Sequence, residues 1–185
     1  MTIDDVTLEA ETKTKTETET ETKTEAKTKT EAEVDPAGAD CVFCEIVGGR
    51  AEASLVFADD TVIAFMDIRP INPGHVLVVP RDHSPHLAQL DEDHGAQMWR
   101  IAHRVAKALR HSGLRVEGVN FFLADGAVAF QEVSHVHLHV VPRYASDGFR
   151  IETDSLLSER SELDSNAAKI GRALAEAAGV QGPPA

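Results

Sequence analysis

The chain has 185 residues and a formal net charge of −13. This length allows one folded domain whose core is large enough to need no disulfide bonds. The negative charge argues against nucleic acid or an anionic membrane as a partner. The N-terminus lacks the apolar region of a signal peptide, and no apolar run approaches the length of a membrane span. We therefore expect a soluble, cytoplasmic protein.

Residues 1–38 differ in composition from the rest of the chain. Threonine occupies every even position from 12 to 24, with glutamate or lysine at each position between, and the segment carries 11 acidic and five basic residues. This alternation provides no apolar face that could be buried against a core. The pattern predicts a disordered acidic tail over residues 1–38 and a folded domain over residues 39–185.

The folded part begins with a predicted helical turn over residues 41–47, which Gly48 and Gly49 end. Apolar, β-branched runs predict strands over residues 55–57, 61–66, 75–79 and 119–123. The spacing of Met98, Ile101, Ala102, Val105 and Leu109 predicts a long helix, with Asp91 as its N-cap and Gly113 at its C′ position. Residues 161–178 are alanine-rich and predict a C-terminal helix. Strands joined by tight turns and combined with helices indicate an α+β domain with an antiparallel sheet.

Histidine occurs at alternate positions in one short run, as His135, His137 and His139. Valine and leucine fill the gaps, so the alternation predicts a half-buried strand with the three imidazoles on one face, ended by Pro142. Such a face suits either zinc ligation or attack on phosphorus by a neutral imidazole. A solvated polar face without a function is the third interpretation, and spacing alone does not separate these chemistries.

The run from His135 to Arg143 resembles the signature of the histidine-triad (HIT) nucleotide hydrolases and transferases. Similar motifs stand upstream in the expected order, at Cys41-Val-Phe-Cys-Glu-Ile46, Phe65-Met-Asp-Ile68 and Pro73-Gly-His-Val-Leu-Val-Val-Pro80. The resemblance covers about residues 41–150. It implies the HIT fold, a purine nucleotide as substrate and a homodimer in which two sheets join.

The resemblance also implies roles for individual residues. His137 corresponds to the nucleophile, and His139 and His75 to the histidines beside the phosphate and behind the nucleophile. Residues that border the phosphate or the leaving group correspond to Gln131, Glu132 and Val133. Residues around the nucleoside correspond to Val42, Phe43, Ile46, Phe65, Asp67 and Ile68. Asp67 matches the acid that accepts hydrogen bonds from the ribose hydroxyls.

Cys41 and Cys44 have the spacing of half a tetrahedral zinc site, and two thiolates alone do not close one. The resemblance to bacterial HIT proteins with Cys-x-x-Cys implies that His83 and His135 complete a structural site, with no metal needed for the chemistry. A redox pair and a pair of buried reduced thiols are the competing interpretations.

Three functions follow from these motifs. The first is hydrolysis or transfer at the α-phosphate of purine nucleoside phosphoramidates or related AMP conjugates, through a nucleotidyl-histidine. Hydrolysis of dinucleoside polyphosphates and a nucleotide-binding regulatory module with incidental activity are the alternatives. Phe130, Ala124 and Glu132 depart from the family pattern, where glycine, an amide residue, and serine or threonine are usual.

Overall fold

The computed structural model describes residues 40–152 and 157–178. The tail predicted over residues 1–38 lies outside the described residues. Across the described ranges, no helix is both long and apolar enough to cross a membrane.

An antiparallel sheet forms the centre of the described domain. Its strands are β1 (Leu55–Ala58), β2 (Val62–Met66), β3 (Val76–Pro80), β4 (Gly118–Leu123) and β5 (Leu138–Arg143), in the spatial order β1-β2-β3-β5-β4. The helices are α1 (Val42–Val47), α2 (Glu92–Leu109) and α3 (Arg160–Ala178). Every strand pair is antiparallel. The predicted α+β class is confirmed.

Helix α2 covers one face of the sheet. The Asp91 carboxylate accepts hydrogen bonds from the backbone N–H groups of Asp93 and His94, which confirms the predicted N-cap. The five apolar residues predicted for the inner face of α2 are all buried against β2, β3 and β5. Burial of each large aliphatic side chain stabilises the fold by about 1.5–3 kcal/mol, so these contacts hold α2 firmly on the sheet.

The predicted end of α2 was wrong. The helix ends at Leu109, with Arg110 as its C-cap. Gly113 lies three residues beyond this cap with φ +81°, so its left-handed conformation serves the loop toward β4 rather than the helix terminus.

Pro142 does not end the last strand, because it lies inside β5 and is paired with Val119 of β4. The Pro142 carbonyl accepts a hydrogen bond from Asn72 Nδ2, on the side of β5 that faces away from β4. The N–H and C=O of one residue face the same neighbour in an antiparallel strand. The nitrogen of Pro142 therefore faces the β3 side, where pairing has already ended at Val140, and no ladder bond is lost.

The second face of the sheet carries α1. Ile63 and Phe65 of β2, together with Leu77 and Val79 of β3, pack against Cys41 and Phe43. Strands β2 and β3 are thus buried on both faces, which explains why their sequences are nearly continuous apolar runs. The candidate functional residues lie on this second face.

Candidate active site and metal centre

The run of alternating histidines begins at a bend over residues 133–135, and only its last part belongs to the sheet. Strand β5 begins at Leu138, so the prediction of a strand through His135 and His137 was wrong. The Val136 N–H donates to the carbonyl of Ser84 at 2.7 Å, a loop contact that takes the place of strand pairing. Alternation still holds, since Val136 and Leu138 are buried toward α2.

His137 is held as a neutral imidazole with a defined tautomer. Its Nδ1–H donates to the backbone carbonyl of His135 at 2.7 Å. Burial lowers the pKa of His137, against the opposing effects of that hydrogen bond and of the carboxylates of Asp67 and Glu132. A neutral ring that donates through Nδ1 carries its lone pair on Nε2. His137 therefore presents a nucleophilic or metal-ligating nitrogen near pH 7.

His139 and His75 form a hydrogen-bonded pair beside His137. The distance between His139 Nδ1 and His75 Nε2 is 2.9 Å. Burial, together with the neighbouring imidazoles of His137 and His75, lowers the pKa of His139 to about 4 against the opposing effect of the Asp67 carboxylate. Burial also lowers the pKa of His75, although the Asp67 carboxylate opposes this shift. Both rings are consequently neutral near pH 7, and one proton lies in the hydrogen bond between the two ring nitrogens.

The turn before β3 fixes the position of His75. Gly74 has φ +96°, and a Cβ atom there would lie 2.8 Å from Leu114 Cδ1. The backbone conformation therefore favours glycine, and a Cβ atom would also displace the end of the Leu114 side chain. The Ile71 N–H donates to His75 Nδ1 at 3.2 Å, and Asp67 Oδ2 lies 3.4 Å from the same nitrogen. The imidazole is thus oriented from both ends.

A cavity of about 510 Å³ opens in front of these histidines. Every residue predicted for the nucleoside side lines it: Val42, Phe43, Ile46, Phe65, Asp67 and Ile68. Phe43 and Phe65 are core residues as well as wall residues, with ring centroids 5.6 Å apart, while Ile68 is 91% exposed at the rim. The Phe43 ring centroid also lies 5.1 Å from that of His137. The apolar slot is therefore contiguous with the histidines.

Asp67 is one of the acidic residues that line this cavity. Its Oδ1 accepts the backbone N–H of Arg69 at 2.8 Å. Its side chain is largely buried. A carboxylate fixed in this way has lone pairs left to accept hydrogen bonds from hydroxyl groups of a ligand.

The residues predicted around the leaving group do not all reach the cavity. Glu132 and Val133 line it, but Gln131 is not among the lining residues. The Gln131 amide oxygen accepts from the Gly126 N–H, and its amide nitrogen donates to the Pro85 carbonyl. Both ends of this side chain hold the loop. Its contact with phosphate stays a prediction that this arrangement does not support.

Phe130 occupies a backbone conformation that normally favours glycine. Its φ is +66°, and its side chain is 88% exposed at the cavity. A non-glycine residue in this region carries strain of about 1 kcal/mol or more. Phe130, which departs from the glycine usual in the family, therefore lies at a position whose backbone conformation favours glycine.

Arg69 is a cavity residue that the sequence analysis missed. Its guanidinium forms an ion pair with the Glu132 carboxylate, and both side chains are mostly exposed. The two residues are 63 positions apart. The only sequence signal for Arg69 is its place two residues after Asp67.

The second cluster consists of Cys41, Cys44, His83 and His135, whose ligand atoms all lie within 4.8 Å of one another. His135 Nδ1 lies 3.4 Å from Cys41 Sγ and 3.6 Å from Cys44 Sγ, and His83 Nδ1 lies 3.3 Å from Cys44 Sγ. In a tetrahedral zinc site, bonds of about 2.3 Å to sulfur and 2.0 Å to nitrogen separate those atoms by about 3.6 Å. The observed spacings fit this value.

The histidines of the cluster are prepared for ligation. His135 Nε2–H donates to the Pro80 carbonyl at 3.0 Å, which leaves the Nδ1 lone pair directed at the thiols. Burial lowers the pKa of His135 to about 4, so the ring is neutral. Within the described ranges, the buried His83 Nε2 has no hydrogen-bond partner. The polar anchoring of that ring thus depends on Nδ1, which faces Cys44.

A small antiparallel sheet with a histidine-lined pocket on one face defines the class as an α+β protein. The family model described as HIT domain matches residues 49–146. The chain belongs to the HIT family.

Known relatives are similar over most of the domain. An uncharacterized HIT-like protein of Mycobacterium tuberculosis is 37% identical over 136 residues, which is 74% of this chain and 94% of that protein. A crystal structure of a zinc-bound histidine triad family protein from Mycobacterium smegmatis has 38% identity and a TM-score of 0.58, and covers 72% of this chain and 97% of its own. The histidine triad nucleotide-binding protein from Candida albicans has 26% identity and a TM-score of 0.67, with coverages of 74% and 99%.

Proposed function

We propose that this protein hydrolyses or transfers nucleotides at the α-phosphate of purine nucleoside phosphoramidates or related AMP conjugates. The hydrogen bond from His137 Nδ1 to the His135 carbonyl carries this proposal, because it leaves Nε2 free to attack phosphorus. The burial-lowered pKa of His137 supports it, since the ring is neutral at physiological pH.

The reaction takes two steps at one phosphorus atom. His137 Nε2 forms a bond to the α-phosphorus, the bond from phosphorus to the leaving group breaks, and the leaving group takes up a proton. Water then attacks the nucleotidyl-histidine, which releases the nucleoside monophosphate and regenerates His137. The leaving group takes its proton from solvent in the first step, and we assign to the neutral His75–His139 pair the acceptance of a proton from the attacking water in the second.

The apolar slot supplies the nucleoside site. Val42, Phe43 and Ile46 of α1 line the cavity together with Phe65 and Ile68. Asp67 accepts hydrogen bonds from the ribose hydroxyls. Because apolar side chains dominate this wall, we expect weak discrimination between adenine and guanine.

Hydrolysis of dinucleoside polyphosphates is the second candidate. Arg69 favours it, since a guanidinium at the cavity offsets the charge of Glu132 and suits an anionic polyphosphate chain. The ratio of turnover on the two substrate classes distinguishes these candidates.

We further propose that Cys41, Cys44, His83 and His135 hold a structural zinc ion. Bound there, zinc would tie the thiols of α1 to the segment that leads into β5, without a role in the chemical step. The donor set and spacings fit this ion, and the described M. smegmatis relative is zinc-bound.

A homodimer that joins two sheets is also part of the proposal. Strand β4 lies at the sheet edge, and Trp99, with its ring centroid 5.0 Å from that of Phe121, is 56% exposed beside it. An exposed edge with aromatic residues suits pairing with a second copy.

The test is to trap the covalent intermediate. The full chain is mixed rapidly with an AMP–amine phosphoramidate, quenched in alkali and mapped by mass spectrometry. We expect one AMP group on the peptide that contains His137 and none on the same peptide of His137→Asn. A labelled peptide from the variant, or turnover without any labelled peptide, would contradict the proposal.

A further inference from the structure

Two short segments, residues 41–46 and residues 135–137, each contribute side chains to both candidate sites. In the first segment, Cys41 and Cys44 face the metal cluster, while Val42, Phe43 and Ile46 line the nucleotide cavity. In the second, His135 belongs to the metal cluster and His137 to the cavity. Within each segment, residues of the metal cluster and residues of the cavity are therefore only one or two positions apart.

The first segment has few anchors of its own. Helix α1 spans six residues, and its N-cap residue Cys41 makes no side-chain capping bond. A helix of this length is not stable alone and takes its position from tertiary contacts. Those contacts include the packing of Phe43 on Phe65 and the proximity of the two thiols to His83 and His135. Ligation of the thiols would therefore fix one side of the nucleoside slot.

The second segment connects the metal cluster to the orientation of His137, the candidate nucleophile. His135 is held at Nε2 by Pro80 and faces the thiols through Nδ1, and its carbonyl is the acceptor that orients His137. The Phe43 ring also contacts both imidazoles edge-on, with centroid separations of 6.0 and 5.1 Å. A shift of either segment changes the slot and the direction of His137 together.

We propose that occupancy of the metal centre and nucleotide binding are thermodynamically coupled through α1 and His135. The inference rests on the two sites assigned under the proposed function and adds that the metal site regulates the nucleotide site. Coupling of this kind is reciprocal: if zinc strengthens AMP binding by some factor, AMP strengthens zinc binding by the same factor. A factor of about tenfold is typical for such coupling.

The experiment measures both halves of this cycle on the full chain. Calorimetric titration gives the AMP dissociation constant of zinc-loaded and chelator-stripped protein, and a competing chelator gives the zinc affinity with and without saturating AMP. We expect AMP binding to weaken about tenfold without zinc, and zinc binding to strengthen by an equal factor with AMP. Circular dichroism establishes that the stripped protein is folded.

Variants keep the test decisive if the stripped wild type unfolds. Cys44→Ser and His83→Asn weaken metal binding without removing an aromatic wall residue, so AMP affinity in each should rise as zinc is added. His103→Gln, an exposed position on α2, is the matched control and should show the wild-type coupling.

The outcomes separate the two proposals. Zinc-loaded protein that does not bind AMP would overturn the proposed nucleotide function. Equal AMP dissociation constants with and without zinc would overturn the coupling alone. Unfolding of the wild type and of both variants on metal removal would also overturn it, because the metal would then be only a requirement for folding.

Discussion

His135 and His137 lie two residues apart in one run and face different chemistry. The His135 ring is enclosed by two thiols, His83 and the Pro80 carbonyl, whereas the His137 ring faces a cavity of about 510 Å³. Both are buried, and burial lowers both pKa values. Burial alone therefore does not assign a histidine to a site. The atoms that face each ring nitrogen assign the histidine to its site.

The largest expected effect tests the cavity half of this comparison. Replacing His137 with asparagine should lower turnover by several orders of magnitude, because the amide has no nucleophilic nitrogen. AMP binding should change little, since the amide N–H can still donate to the His135 carbonyl. Steady-state kinetics and AMP titration measure both effects. His103→Gln should match the wild type, and a His137 variant with most of its activity would remove this residue from the chemical step.

The metal half of the comparison predicts a loss of stability. Replacing His135 with asparagine should remove zinc and lower the free energy of unfolding by several kcal/mol, on the order of 10 °C in melting temperature. His137→Asn should shift the melting temperature by far less. Calorimetry and metal analysis test both variants. Equal melting temperatures for the two would show that the clusters do not divide stability and chemistry in this way.

The sequence predicted which residues of each element face the core better than it predicted which distant residues each element contacts. Alternation correctly assigned Val136 and Leu138 to the core, and capping and helical spacing correctly predicted the start and inner face of α2. All six residues that the family motifs predicted for the nucleoside side line the cavity, whereas the motifs did not predict other lining residues such as Ala53 and Leu77. Local residue types carry this information, because strand and helix periods follow from the backbone itself.

Long-range partners explain the remaining differences. The start of β5 depends on the Ser84 carbonyl, which replaces strand pairing at Val136. The position of Pro142 depends on which neighbouring strand its nitrogen faces, and the Arg69–Glu132 pair joins residues 63 positions apart. No local pattern contains these contacts. The predicted disordered tail stays a prediction, since residues 1–38 are outside the described residues.

Acid pH should lower the stability of the fold through the partly buried histidine His139, by a smaller effect. Burial lowers the pKa of His139 to about 4 from an ordinary value of 6.5. A folded-state pKa below the unfolded-state value means that His139 stabilises the fold above pH 6.5 and loses this contribution as the pH falls through about 4. Melting temperatures measured between pH 7.5 and pH 4.5 should fall, and the fall should be shallower in His139→Gln. A rise in stability over this range would contradict the assignment.

The smallest effect concerns the rim of the cavity, where we propose that Glu132 lies beside the leaving group. A carboxylate there disfavours an anionic polyphosphate and favours an amine, but the ion pair with Arg69 offsets part of its charge. Exposed pairs contribute at most about 1 kcal/mol, which corresponds to about fivefold in rate. Glu132→Ser should therefore raise turnover of diadenosine triphosphate relative to an AMP–lysine phosphoramidate by a few-fold. Arg69→Met should lower the same ratio, and the double variant should return it toward the wild-type value. Competition assays with both substrates in one reaction give the ratio directly. If neither single variant changes it, the rim does not select the leaving group.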